Sequence, residues 1–223
     1  MNIRKLSIYA VALCLSAAAA ACLSGSGRPR RSERDPSSVL ADLNAYFSAS
    51  RLQRYRYECY ADRASDDGNR PAAGLFRALA RSERAHEEAC SHAAELFGGK
   101  CERPQTAAFD IAATAENLRR SIDDERRRLE PGRGTAVARA ISAGNYYTAR
   151  VFIWIDATHR RHIEMLERCL YMGGADSLPR ICSKYGVCPV CGNIYEYDNC
   201  DAYCPLCRTG CASFEMFGTL QLD

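Results

Sequence analysis

Near the C-terminus two short knuckles, Cys188-Pro-Val-Cys191 and Cys204-Pro-Leu-Cys207, are separated by twelve residues. Thiolates paired at this spacing converge on a tetrahedral ion, so the chain must end in a small lobe stapled by iron or zinc. Gly192 follows the second cysteine and lets backbone N–H groups approach sulfur, a contact that raises the potential of an iron. Tyr195, Tyr197, Tyr203, Phe214 and Phe217 supply enough aromatic surface for a small core. From Tyr185 to Asp223 the only base is Arg208, against Glu196, Asp198, Asp201, Glu215 and Asp223. That balance, with a net charge of only +3 over the whole chain, argues against nucleic acid as a partner.

The opposite end reads as an export signal. Residues 1–21 carry Arg4 and Lys5, then an apolar stretch, then alanines up to Ala21, which is too short to span a bilayer. Small residues directly before Cys22 resemble a lipoprotein cleavage site, so the expectation is an exported protein, periplasmic or on the cell surface, anchored to the membrane by lipid on Cys22. Ordinary cleavage at Ala-x-Ala would instead leave a soluble exported protein. Residues 22–37, rich in Ser, Arg, Gly and Pro, form a flexible tether. Outside the cytoplasm thiols can oxidise, and a disulfide between Cys200 and Cys211 would brace the knuckle lobe.

Between tether and knuckles, residues 38–174 hold four long helical segments: about Ser38 to Ser65, Pro71 to Phe97, after Pro104 to Leu129, and Tyr146 to Met172. Pro131-Gly132 interrupts the third before its pattern resumes, and Gly173-Gly174 stops the fourth. Each has an apolar stripe at steps of three and four, and each stripe has a polar break. In the second segment Glu83 and His86 fall among Phe76, Leu79, Cys90, Ala93 and Phe97. In the third, Glu125 falls with Ile111, Ala115, Leu118, Ile122 and Leu129, with Arg128 one turn on. In the fourth, His159 and His162 fall among Thr148, Phe152, Ile155, Leu166 and Cys169, and in the first Ser50 falls among Leu43, Phe47, Tyr57 and Ala61. Unpaired buried carboxylates cost several kcal/mol, roughly, so these groups must meet one another or a cation. Either a salt-bridged core or a metal site satisfies them; His92 lies off the stripe and reads as surface.

Glu83-Arg-Ala-His86, Asn117-Leu118 through Glu125, Val151-Phe152 through His162, and the knuckles at Cys188, Cys191, Cys204 and Cys207 together resemble rubrerythrin. The resemblance implies a mainly α chain: a ferritin-like four-helix bundle over 38–174, a linker over 175–184 and a rubredoxin-like four-cysteine domain over 185–223. It implies iron in the four-cysteine site, although zinc suits four thiolates equally well, and a di-iron peroxidase in the bundle. It also implies a homodimer in which one copy's knuckle lobe meets its partner's bundle. Carried over by position, Glu83, His86, Glu125 and His162 match the family's ligands. Ser50, Arg128 and His159 stand where it has three more carboxylates.

An arginine about 5 Å from a divalent ion repels it by about 7 kcal/mol at an effective dielectric of 20. The expectation is therefore a bundle that binds at most one metal, through Glu83, His86, Glu125, His159 and His162, with the Arg128 guanidinium in the second position, paired to Glu125 and Glu83. Function is then electron transfer through the tetrathiolate iron from a donor that the sequence does not identify. Peroxide reduction and a zinc-stabilised structural or interaction lipoprotein are the rival readings.

Overall fold

The computed structural model of the protein describes residues 36–105, 108–129, 133–172, 184–196 and 200–218. The export signal, Cys22, nearly all of the tether, Pro131-Gly132, Gly173-Gly174, residues 175–183 of the linker and Tyr197 lie outside them.

Among the described residues five helices precede a small sheet: α1 (Pro36–Asp66), α2 (Arg70–Leu96), α3 (Thr114–Arg128), α4 (Arg133–Ser142) and α5 (Tyr146–Met172), then β1 (Lys184–Val187), β2 (Ile194–Glu196) and β3 (Glu215–Gly218). Helix α2 starts where the Asn69 side chain accepts a hydrogen bond from the Ala72 backbone N–H at 3.1 Å, with Pro71 in the first turn, where its missing N–H costs nothing. It stops at Gly98, whose φ of +72° suits a residue without Cβ. Asn145 caps α5 in the same way, accepting from the Thr148 N–H at 3.0 Å.

The third helix begins later than its sequence suggests. Residues from Pro104 to Ala113 are not helical where described, Ile111 is exposed and Ala115 faces solvent. Two side-chain contacts override the local pattern. Asn117 clamps both backbone groups of Ala112, accepting from its N–H at 3.0 Å and donating to its carbonyl at 2.8 Å. Asp67, at the end of α1, accepts from the backbone N–H and the hydroxyl of Thr114, so the orphan donors at the start of α3 are capped from another helix.

Apart from Ile111 and Ala115 the inward stripes lie where the periodicity puts them. Leu43, Phe47, Tyr57 and Ala61 of α1, Phe76, Leu79, Cys90 and Ala93 of α2, Leu118 and Ile122 of α3, and Phe152, Ile155, Leu166 and Cys169 of α5 are all buried. Each large apolar side chain removed from water contributes about 1.5–3 kcal/mol. His92 is exposed, edge-on to Tyr147.

The sheet is antiparallel with β1 in the centre, order β2-β1-β3, and Tyr185 pairs with Glu196 on one side and Phe217 on the other. Its inner face is continuous with the helical core, because Tyr185, Val187 and Ile194 join one cluster with Ala72, Leu75, Phe76 and Leu79. Arg81 pairs with Glu215 at 2.6 Å and the Trp154 indole N–H donates to the Leu206 carbonyl at 3.0 Å. The lobe thus seats on the bundle of its own chain. Cys200 and Cys211 are thiols rather than a disulfide; burial and the hydrogen bond with Cys211 push the Cys200 thiol up to about 12.

Candidate metal centres

The four knuckle sulfurs all lie within 4.8 Å of one another, with Cys188 and Cys207, and Cys191 and Cys204, each 3.4 Å apart. Thiolates about 2.3 Å from a central ion would stand roughly 3.8 Å from each other, so the four fit one ion. Both knuckles use the same turn. The Gly192 N–H donates to the Cys188 carbonyl at 3.0 Å and the Arg208 N–H to the Cys204 carbonyl at 2.8 Å. Both turns need a left-handed residue, with φ of +76° at Gly192 and +68° at Arg208. At Arg208 that conformation costs about 1 kcal/mol or more, and its guanidinium lies over the Tyr203 ring at 5.9 Å.

Two hydroxyls reach the sulfurs. Tyr195 donates to Cys204 Sγ at 3.3 Å, and Thr209 Oγ1 lies 3.1 Å from Cys207 Sγ. Hydrogen bonds from the neighbouring thiols Cys188 and Cys191 hold Cys204 far below the usual thiol range against the opposing effect of burial, with Tyr195 adding to them.

The bundle brings together all five polar residues that interrupt the stripes of α2, α3 and α5. Glu83, His86, Glu125, His159 and His162 are at most 1% exposed. Their donor atoms form two overlapping groups, Glu83 with His86 and His159, and Glu83 with Glu125 and His162, each within 4.8 Å. Glu125 is the hub, with His162 Nδ1 at 3.1 Å on one oxygen and His159 Nδ1 at 2.5 Å on the other. The His159 Nδ1 contact is an ion pair without a hydrogen bond, and the buried Nε2 of the same ring has no hydrogen-bond partner. His86 points Nδ1 at Glu83 Oε2, 3.1 Å away, and its buried Nε2 also lacks a partner. Buried nitrogens without partners, convergent with carboxylates, are what a borderline divalent ion would satisfy. The residues therefore fit one such ion.

A buried cation stands beside them. Arg128 enters from α3 with its side chain 13% exposed and sets Nη1 3.6 Å from Glu83 Oε1. Its other nitrogen donates to the Ala49 carbonyl at 2.8 Å and lies 3.5 Å from Gln53 Oε1. The guanidinium thus lies against α1 at Ala49 and Gln53, and pairs with Glu83 and backbone rather than straddling Glu83 and Glu125; Ser50 of the same helix is buried. Burial would raise the Glu83 carboxyl, but Arg128, then His86 and His159, override it and hold it at about 2. Glu125 is likewise held well below the carboxylate range by His159 and His162 against burial. Burial lowers His86, with Glu83 opposing.

Several participants stand outside the expected set. Tyr57 donates to Glu125 Oε1 at 2.6 Å, Gln53 receives Arg128, and Ser82 contacts both His162 and the knuckle loop. Their signal was in the periodicity, since 53 stands between 50 and 57, and 82 between 79 and 86, at the same steps of three and four.

A helical bundle with a buried carboxylate and histidine cluster, followed by a four-thiolate knuckle, defines a non-haem metalloprotein of ferritin-like type. A sequence profile of the rubrerythrin family matches residues 47–170, and the chain belongs to that family. Solved structures of nigerythrin share the fold. The fully reduced, all-ferrous form and the partially reduced form are each 23% identical and the mixed-valence form 21%, all with a TM-score of 0.69 over 80% of this chain and 86% of theirs. Comparison with curated proteins finds no match.

Proposed function

We propose that this rubrerythrin-family protein is an exported, lipid-anchored electron carrier with one iron in the four-cysteine site and a bundle that accepts at most one further metal. The observation that supports it is Arg128, a buried cation against Glu83 where a second ion would need a carboxylate. Bound iron would supply one-electron chemistry, cycling between ferrous and ferric. Cys188, Cys191, Cys204 and Cys207 would hold it, and Tyr195 would steady the charge on sulfur. In the bundle Glu83, His86 and His159, or Glu83, Glu125 and His162, would hold the single ion, while Tyr57 and Arg128 fix the carboxylates. The N-terminal signal and Cys22 support a location outside the cytoplasm, and a homodimer is compatible with the seated lobe.

Peroxide reduction is the second reading, because the knuckle loop directly abuts His86 and Ser82, which puts the electron source against the bundle cluster. Elemental analysis with a visible spectrum tests both. The expected result is an intensely coloured tetrathiolate and about one or two metals per chain. About three irons per chain with brisk peroxide turnover would establish the second reading, and zinc alone would overturn both.

A further inference from the structure

Ser82 occupies the seam between the two centres. It is fully buried on α2, one residue before Glu83. Its Oγ lies 2.6 Å from the Gly192 carbonyl oxygen and 2.8 Å from His162 Nε2. The contact is tight. A Cβ on Gly192 would stand 2.7 Å from His86 Nε2, 2.8 Å from the Ser82 carbonyl and 2.9 Å from its hydroxyl, so the loop is seated against α2 with no room for a side chain.

The proton count at this hydroxyl decides the rest. A carbonyl oxygen can only accept and a serine has one hydroxyl hydrogen, so Ser82 donates to Gly192. Its lone pair must then accept from His162, which places a proton on Nε2. Nδ1 is then the ring atom on the side of Glu125, where it donates to Oε1 at 3.1 Å and where a bound ion would take the place of that proton. A histidine that binds metal through one nitrogen is oriented by the hydrogen bond from the other. Here that partner is not a carboxylate or a free carbonyl but a hydroxyl already tied to the residue after Cys191.

We propose that Ser82 is a positioning residue that couples the knuckle to the bundle, turning His162 Nδ1 toward the bundle ion while linking its ring to Gly192. The route from Cys191 runs through one peptide and two hydrogen bonds to a ring that faces Glu125. Its use by electrons rests on the electron-carrier reading; the orientation of His162 does not.

The test uses the full chain with zinc in the four-cysteine site and 15N-labelled histidine, as wild type, Ser82→Ala and Ser82→Thr, with His162→Gln to assign the ring. In wild type the His162 ring carries a slowly exchanging proton on Nε2. Ser82→Ala loses that protection and Ser82→Thr restores it. Co(II) added to the same proteins binds the bundle roughly 10-fold or more weakly in Ser82→Ala, the usual effect of removing a partner of a metal-bound histidine, with recovery in Ser82→Thr. A protected Nε2 proton and unchanged Co(II) affinity in Ser82→Ala would overturn the proposal, as would a wild-type bundle that takes up no Co(II). A protein isolated colourless, with zinc in the knuckle, would instead sink the electron-carrier reading and leave the ring-proton result to decide this one.

Discussion

Tyr195 reaches its sulfur from a stacked position on Phe214, ring centroids 5.1 Å apart, so its hydroxyl is held in place by packing. Burial, then the bond to Cys204, push the phenol well above its ordinary range, which keeps it a donor. A donor to thiolate favours the reduced, more negative iron site, so Tyr195→Phe should lower the midpoint potential by about 40 mV, taking about 1 kcal/mol for the bond. Voltammetry on iron-loaded protein checks this, with the visible spectrum showing that the site itself is intact. Arg128 makes the complementary case in the bundle. Removing one member of a buried pair costs about 3–5 kcal/mol, so Arg128→Met should lose that much stability in denaturant unfolding of metal-free protein. Arg128→Glu replaces the repelling charge with a third carboxylate and should raise the metal content by about one divalent ion per chain, read by elemental analysis.

At the scale of elements, α2 and α5 were legible because their stripes combine strong periodicity with caps in the adjacent sequence, Asn69 and Asn145. Of the third segment only the later part, from Thr114, is a helix. The residues before Thr114 carry enough Ala and Ile to imitate a helical stripe, and what stops them is supplied by side chains from 67 and 117, a tertiary effect that no local window contains. The buried carboxylates and histidines were legible because ionisable groups stood at core positions. The seat of the knuckle on α2 was not, since Gly192 and Ser82 are small residues whose meaning appears only on contact. The cap also predicts a pH dependence. The hydroxyl and N–H of Thr114, with Arg63, hold the Asp67 carboxyl at about 2. Its folded pKa is below the unfolded value, so its stabilisation is present above roughly pH 4 and fades as pH falls toward 2. Asp67→Ala should therefore be less stable than wild type near neutrality, and the gap in urea midpoint should shrink as the pH is lowered through that window.

Across the whole molecule the knuckle lobe and the bundle share one core, with Tyr185, Val187 and Ile194 filling the surface above Leu75, Phe76 and Leu79. A three-stranded sheet of this size cannot stand on its own apolar burial, and a structural ion in such a lobe contributes on the order of 10 kcal/mol to its folding. Stripping the tetrathiolate metal should accordingly unfold residues 184–218, and the consequence should travel, because the seat on α2 would lose its cover and the cluster around His86 would open to water. Gly192→Ala should do the same in milder form with the metal still bound. Its Cβ would stand 2.8 Å from the Ser82 carbonyl, a backbone contact no rotamer can relieve, and the left-handed turn adds to the strain, for about 2 kcal/mol or more together. Limited proteolysis separates the two. The stripped wild type should be cut within the lobe while helical circular dichroism persists. Gly192→Ala should keep the tetrathiolate band yet show a lower melting temperature and faster exchange of buried α2 amides. A variant that melts like wild type would mean that the lobe is not seated at Gly192, and the shared core would then have to be sought elsewhere on the sheet.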